Sequence, residues 1–77
     1  MKIDNLVTMA NQIGAFFASY PDQVEASSEI ASHLQRFWAP RMRSQLLAHV
    51  LEQGGEGLAP PVLAAIETHR VRLLPVA

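Results

Sequence analysis

Apolar residues recur along the chain with the period of an α-helix, in three long stretches and one short one. In the first stretch they occupy one helical face and are Ile3, Leu6, Ala10, Ile13, Phe17 and Tyr20. Asp4 suits an N-cap and Pro21 ends the segment, so we expect a helix over residues 4–19. Gly14 costs about 1 kcal/mol relative to alanine inside a helix, and its place on the apolar side predicts close approach of another helix.

A second helical stretch follows Pro21. Asp22 and Glu25 have the spacing of a capping box, and they predict a helix that runs to Phe37 or Trp38. The apolar residues expected on its buried face are Ile30, Ala31, Leu34, Phe37 and Trp38. The polar residues expected on its exposed face are Glu25, Glu29, Ser32 and Arg36.

Proline and glycine mark the bounds of the third helix. Pro40 disfavours helical geometry at Ala39 and suits the first turn of a helix, while Gly54 suits a C-terminal cap. We therefore expect a helix over residues 40–53. Its predicted apolar arc contains Met42, Leu46, Leu47, Val50 and Leu51.

The C-terminal part of the chain predicts a short helix followed by a tail. Pro60 and Pro61 suit the opening of a fourth helix that ends near His69 or Arg70. Its expected buried residues are Val62, Leu63 and Ile66. Residues 71–77 are mainly apolar, and we expect them to lie extended along a neighbour or a partner, or to be disordered in the isolated chain.

These patterns predict an all-α fold, a small bundle of three helices plus a short fourth helix and an apolar tail, as one domain over residues 1–77. Hydrophobic residues make up 49% of the chain and charged residues only 17%, less than the usual quarter. So short a chain with so few charges is expected to leave apolar surface uncovered, which predicts a protein partner, or self-association of the isolated chain.

Charge and composition narrow the classes of function. The net charge of −1 argues against binding nucleic acid by phosphate neutralisation. The chain has no cysteine, which excludes disulfides and thiolate ligands to metals or iron–sulfur clusters. We expect a cytoplasmic protein that does not enter a membrane, because no 18-residue apolar run and no apolar signal region are present.

The sequence gives no catalytic, cofactor-binding or metal-binding residues. His33, His49 and His69 are too far apart for the ligand spacing of a helical metal site, and we interpret them as surface or core-edge residues. The glycine-rich segment 54–57 lacks the lysine of a phosphate-binding loop and predicts a turn. Ser27 and Ser28 have no nucleophile-elbow context.

The junction between the second and third helices concentrates the candidate interaction residues. Arg41 and Arg43 fall in the first turn of the third helix, where the helix dipole disfavours cations. Arg43 also lies within the apolar arc, so its guanidinium needs a carboxylate or carbonyl partner. Two interpretations stay open: an internal salt bridge to a carboxylate such as Asp4, Glu25 or Glu29, or a contact to another protein. Trp38 is likewise either a core anchor or an interface anchor.

The predicted interface comprises this junction and the edge of the first helix. Met9 and Phe16 widen the apolar stripe of that helix beyond what one neighbour covers. The full predicted set is Trp38, Pro40, Arg41, Met42, Arg43, Met9 and Phe16.

The same segments resemble the delta subunit of soluble NAD-dependent formate dehydrogenases, over roughly residues 5–66. The residues that carry the resemblance are Phe37, Trp38, Pro40, Arg41, Met42 and Arg43, with Met9, Ala10, Asn11, Gln12, Ile13, Phe16 and Phe17 upstream. Ala39 departs from the family pattern, in which an aspartate N-cap is expected before Pro40.

The resemblance implies an accessory subunit without redox cofactors that assembles or stabilises a molybdenum- or tungsten-dependent enzyme. In such complexes the large catalytic subunit carries bis-molybdopterin guanine dinucleotide and iron–sulfur clusters. A second subunit carries flavin mononucleotide (FMN) and the NAD site, and a third carries a further cluster. The partner subunits would convert formate to carbon dioxide with reduction of NAD.

Two alternatives remain from the sequence. One is a free-standing assembly factor or chaperone that binds a molybdopterin enzyme transiently. The other is a small helix-turn-helix regulator, because Arg36, Arg41 and Arg43 lie near a short turn between two helices. The negative net charge and the apolar surroundings of Arg43 argue against the regulator.

Overall fold

A computed structural model describes residues 2–74 and places most of them in helices. The helices are α1 (Ile3–Phe17), α2 (Gln23–Phe37), α3 (Pro40–Gln53), α4 (Pro60–Thr68) and α5 (Arg70–Leu73). α2 packs against α1, α4 and α5, and α1 also contacts α3 and α4. The predicted all-α fold is confirmed, with a fifth short helix that the sequence patterns did not predict.

The local signals at the helix ends account for most of these bounds. Asp22 caps α2, because its Oδ1 accepts the backbone N–H groups of Val24 at 2.9 Å and Glu25 at 3.4 Å. Gly54 ends α3 in the left-handed conformation, with φ of 67°. The prediction of Asp4 as an N-cap is wrong. The backbone carbonyl of Lys2 accepts the N–H of Leu6, so the helix begins at Ile3 and Asp4 lies in its first turn.

The core lies around one face of α2 and receives residues from every other helix. Its buried apolar side chains are Leu6, Ala10, Phe17, Ala26, Ile30, Leu34, Trp38, Leu46, Leu58, Val62, Ala65, Ile66 and Leu73. Gly14 is buried where α1 meets α4, and a Cβ atom at this position would overlap Cγ2 of Val62. The predicted close approach of another helix at Gly14 is therefore confirmed.

Two residues assigned to buried faces are exposed. Phe37 ends α2 and is 71% exposed; its ring contacts the half-buried ring of His33 rather than the core. Leu51 is also exposed, because α3 is peripheral and only Leu46 on it is fully buried. The periodicity predicted α1 to α4, but it did not show which of their turns another helix covers.

The prediction for the tail over residues 71–77 is wrong in its first part. Residues 71–73 continue from Arg70 as the helix α5, and Leu73 is only 1% exposed in the core. Arg72 joins this helix to α2 by donating from Nη1 to Ser28 Oγ at 3.3 Å. Residues 75–77 lie outside the described residues.

The loop between α3 and α4 is held by Asn11 of α1. The side-chain Nδ2 donates to the carbonyl of Gly57 at 3.0 Å, and Oδ1 accepts the N–H of Ala59 at 2.8 Å. On the other side of the loop, His49 Nε2 donates to the carbonyl of Glu56 at 2.7 Å. One amide side chain thus satisfies a backbone donor and a backbone acceptor in a segment without secondary structure.

Replacing Asn11 by alanine is expected to lower the free energy of unfolding by about 1–3 kcal/mol, because the part-buried N–H of Ala59 loses its acceptor. Urea denaturation followed by circular dichroism measures the change. Gln12→Ala is the matched control, since Gln12 is the exposed next residue of the same helix and its loss should cost less than about 0.5 kcal/mol. Equal effects of the two substitutions would contradict the role assigned to Asn11.

Candidate protein-interaction site

An open groove of about 350 Å³ lies between α1 and the C-terminal part of α2, and we call it the α1–α2 groove. Its lining residues are Met9, Gln12, Ile13, Phe16, Phe17, His33 and Trp38. Those from α1 lie at positions 9, 12, 13, 16 and 17, which is one face of a helix over about two turns. The structure therefore brings together Met9, Phe16 and Trp38, three of the seven residues of the predicted interface.

A series of aromatic rings extends from the groove to the surface. Phe16 packs edge-on against Phe17 at 4.9 Å between ring centroids, Phe17 lies 6.5 Å from His33, and His33 lies 4.7 Å from Phe37. The two outer rings, Phe16 and Phe37, are 73% and 71% exposed. Large apolar side chains that stay in water at one surface are typical of a region that another molecule covers.

Trp38 belongs both to the core and to the lining of the groove. It is only 5% exposed and belongs to the core, yet it also forms one wall of the α1–α2 groove. The chain leaves α2 at this residue in an extended conformation, which turns it toward α3. The two interpretations of Trp38 are therefore not exclusive, since the buried indole supports a surface that remains accessible.

The rest of the predicted interface lies outside the groove. Pro40 opens α3 as predicted, and both Pro40 and Arg41 are exposed. Met42 is half-buried and packs against the core. Ala39 precedes α3 without a side-chain hydrogen bond to the helix, as expected for alanine at a capping position.

Arg43 is half-buried, and its Nε is buried without a hydrogen-bond acceptor among residues 2–74. The structure does not place a carboxylate of Asp4, Glu25 or Glu29 within ion-pair distance of this guanidinium. An internal salt bridge of Arg43, one of the two interpretations, is therefore not found among residues 2–74. A buried donor without an acceptor costs about 1–3 kcal/mol, and more when the group is charged, so an external acceptor would stabilise this arrangement. That contact remains a prediction.

The three histidines are separated in the fold. His33 lies between the rings of Phe17 and Phe37, His49 bonds the loop after α3, and His69 lies at the α4–α5 junction, 3.5 Å from Arg72 Nη1. Among residues 2–74, no three histidine, aspartate or glutamate side chains come together as a potential metal site. The histidine that sequence reasoning missed is His33, whose position four residues before Phe37 on α2 is the signal that could have placed it in the groove.

Comparison with known protein families gives a match over most of the chain. A family model described as the NADH-dependent formate dehydrogenase delta subunit FdsD covers residues 5–66 of the 77. The chain belongs to this family. The resemblance stated from residues 9–17 and 37–43 is thereby confirmed, and the matched part includes the whole α1–α2 groove and the junction that follows it.

The delta-subunit match ends at Ile66 in α4, so α5 lies beyond it. No curated protein and no solved structure matches the chain significantly. None of the helices between residues 2 and 74 has both the length and the apolar character to cross a lipid bilayer.

Proposed function

We propose that this chain is a non-catalytic accessory subunit that assembles or stabilises a cytoplasmic NAD-dependent formate dehydrogenase. Its membership of the delta-subunit family supports an association with that enzyme. Partner subunits would carry the bis-molybdopterin guanine dinucleotide, iron–sulfur clusters and FMN, and would convert formate to carbon dioxide. The chain itself contains no cysteine and so supplies no thiolate ligand to a cluster.

The observation that carries the proposal is the α1–α2 groove, with exposed Phe16 in its lining and exposed Phe37 next to its residue His33. Phe16 and Phe37 stand on helices whose opposite faces are fixed in the core, so the surface is formed before a partner binds. Preorganisation lowers the entropy cost of association, and buried aromatic side chains are frequent hot spots. We propose the large catalytic subunit as the partner, with Arg43 making a second contact beside the groove.

Replacing Phe16 or Phe37 by alanine should weaken association by about 2 kcal/mol, the usual threshold for a hot spot, while the fold stays intact. The measurement is binding of each purified full-length variant to the formate dehydrogenase complex isolated from a strain that lacks this chain. Val24→Ala is the control, because Val24 is equally exposed at the opposite end of α2 and its loss should leave binding unchanged.

The same preparation tests the function as a whole. A permanent subunit should restore the stability of the depleted complex and remain with it through gel filtration. A chain that restores activity but separates from the complex would instead be a transient assembly factor. Unaltered binding in both phenylalanine variants would place the interface outside the groove, and failure of the wild-type chain to bind or to restore the enzyme would refute the proposed function.

A further inference from the structure

We propose that the partner presents an acidic amphipathic helix to this chain, with its apolar side chains in the α1–α2 groove and its carboxylates against the arginines of the α2–α3 junction. This inference rests on the proposed function and adds the chemistry of the partner segment. It depends on three features of the described residues: their charge distribution, the lack of internal partners for that charge, and the length of the groove.

Charge is distributed unevenly along the chain. Residues 30–51 contain Arg36, Arg41 and Arg43 but no aspartate or glutamate, although the whole chain has a net charge of −1. The three arginines fall within five positions of Trp38, which forms a wall of the groove. The positive end of the α3 dipole lies in the same place and adds to their potential.

This positive charge is not neutralised within the described part of the chain. Arg36 and Arg41 are exposed, and the Nε of Arg43 is buried without an acceptor. The structure gives no ion pair between these arginines and any carboxylate of residues 2–74. Carboxylates on a partner could therefore bind these arginines without breaking an internal ion pair. Such charge complementarity speeds association and favours the correct orientation of the partner.

The shape of the groove indicates a helix as the occupant. Its α1 wall spans positions 9 to 17, about 12 Å along the axis, which accommodates residues i to i+7 of a partner helix. Among the described residues that line it, only Gln12 and His33 have strongly polar side chains, and neither is acidic. An apolar helical stripe fits this surface better than a nucleic acid, whose phosphates need a basic channel rather than an apolar one.

Photo-crosslinking identifies the occupant directly. The full-length chain is prepared with p-benzoylphenylalanine in place of Phe37, bound to the depleted formate dehydrogenase complex and irradiated, and the linked peptide is sequenced by mass spectrometry. We expect a helical segment with apolar residues at i, i+3 or i+4, and i+7, and with at least two carboxylates beside them. A linked segment without carboxylates, or a link to nucleic acid, would overturn the proposal. The same probe at Val24 should not label that segment.

A charge-matched pair of variants tests the electrostatic part. Arg36→Gln with Arg41→Gln should weaken association with the depleted complex about tenfold at low salt and reduce its salt dependence. Lys2→Gln with Arg70→Gln removes two exposed positive charges away from the junction, and it should change affinity less than about twofold. If wild type binds and both double variants bind equally well, the acidic partner is refuted while the proposed function stands. If the wild-type chain does not bind at all, both the acidic partner and the proposed function are refuted.

Discussion

Trp38→Ala is expected to lower the free energy of unfolding by about 3–5 kcal/mol, the cost of truncating a buried aromatic side chain. Trp38 is 5% exposed and belongs to the core cluster, so its loss leaves a cavity at the end of α2. A helical domain of this size has a total stability of only about 3–5 kcal/mol. The variant should therefore be largely unfolded, as measured by far-UV circular dichroism in a urea titration.

Phe37→Ala is the matched control for this substitution. Phe37 is the preceding residue and is 71% exposed, so its removal should change stability by less than about 0.5 kcal/mol. The two variants are thus expected to differ in kind. Trp38→Ala should impair folding, whereas Phe37→Ala should impair binding without unfolding the chain. Comparable losses of stability in both variants would show that Phe37 belongs to the core.

Leu73→Ala should destabilise the chain by about 2–5 kcal/mol, although it lies four residues from the last residue in the sequence. Leu73 is 1% exposed, and α5 packs against α2, α3 and α4, so a cavity here would affect three helices. Each kcal/mol should lower the melting temperature by about 4–8 °C in a domain of this size. Differential scanning calorimetry measures the shift.

Val71 offers the control for Leu73 within the same helix. It is 80% exposed, and Val71→Ala should leave the melting temperature within a few degrees of wild type. A melting temperature unchanged by Leu73→Ala would show that α5 is a frayed helix end that does not stabilise the core. If the expected difference is found, truncations designed to probe binding must begin after Leu74, because earlier ones would remove part of the core.

The proposed interface and the hydrophobic core share residues in the α1–α2 groove, which affects how mutations there can be interpreted. The α1–α2 groove contains both exposed side chains, such as Phe16, and side chains that also fill the core, such as Trp38. Loss of binding on mutation of Trp38 would therefore report unfolding as well as a lost contact. Substitutions of exposed residues are informative about binding, because they change the surface without removing core side chains. These residues are Phe16, Phe37, Arg36 and Arg41.

The sequence by itself determined α1 to α4, because their signals are local. Pro40 and Gly54 fixed the bounds of α3, Asp22 fixed the start of α2, and Gly14 indicated where another helix approaches α1. Each of these depends on the conformational preference or hydrogen bonding of one residue and its immediate neighbours. The residues that carry the family resemblance were readable for the same reason, since they lie in two continuous segments.

Only the tertiary structure decided which apolar residues are covered. Phe37 and Leu73 are both apolar, yet the first is exposed at the end of α2 and the second is buried by three other helices. The sequence offered three candidate carboxylates as a partner for Arg43, and it could not show that none of the three pairs with it in the described part of the chain. Burial and ion pairing depend on how helices that are distant in sequence cross one another. Periodicity along one helix shows its apolar face, but it does not show which neighbour covers each turn.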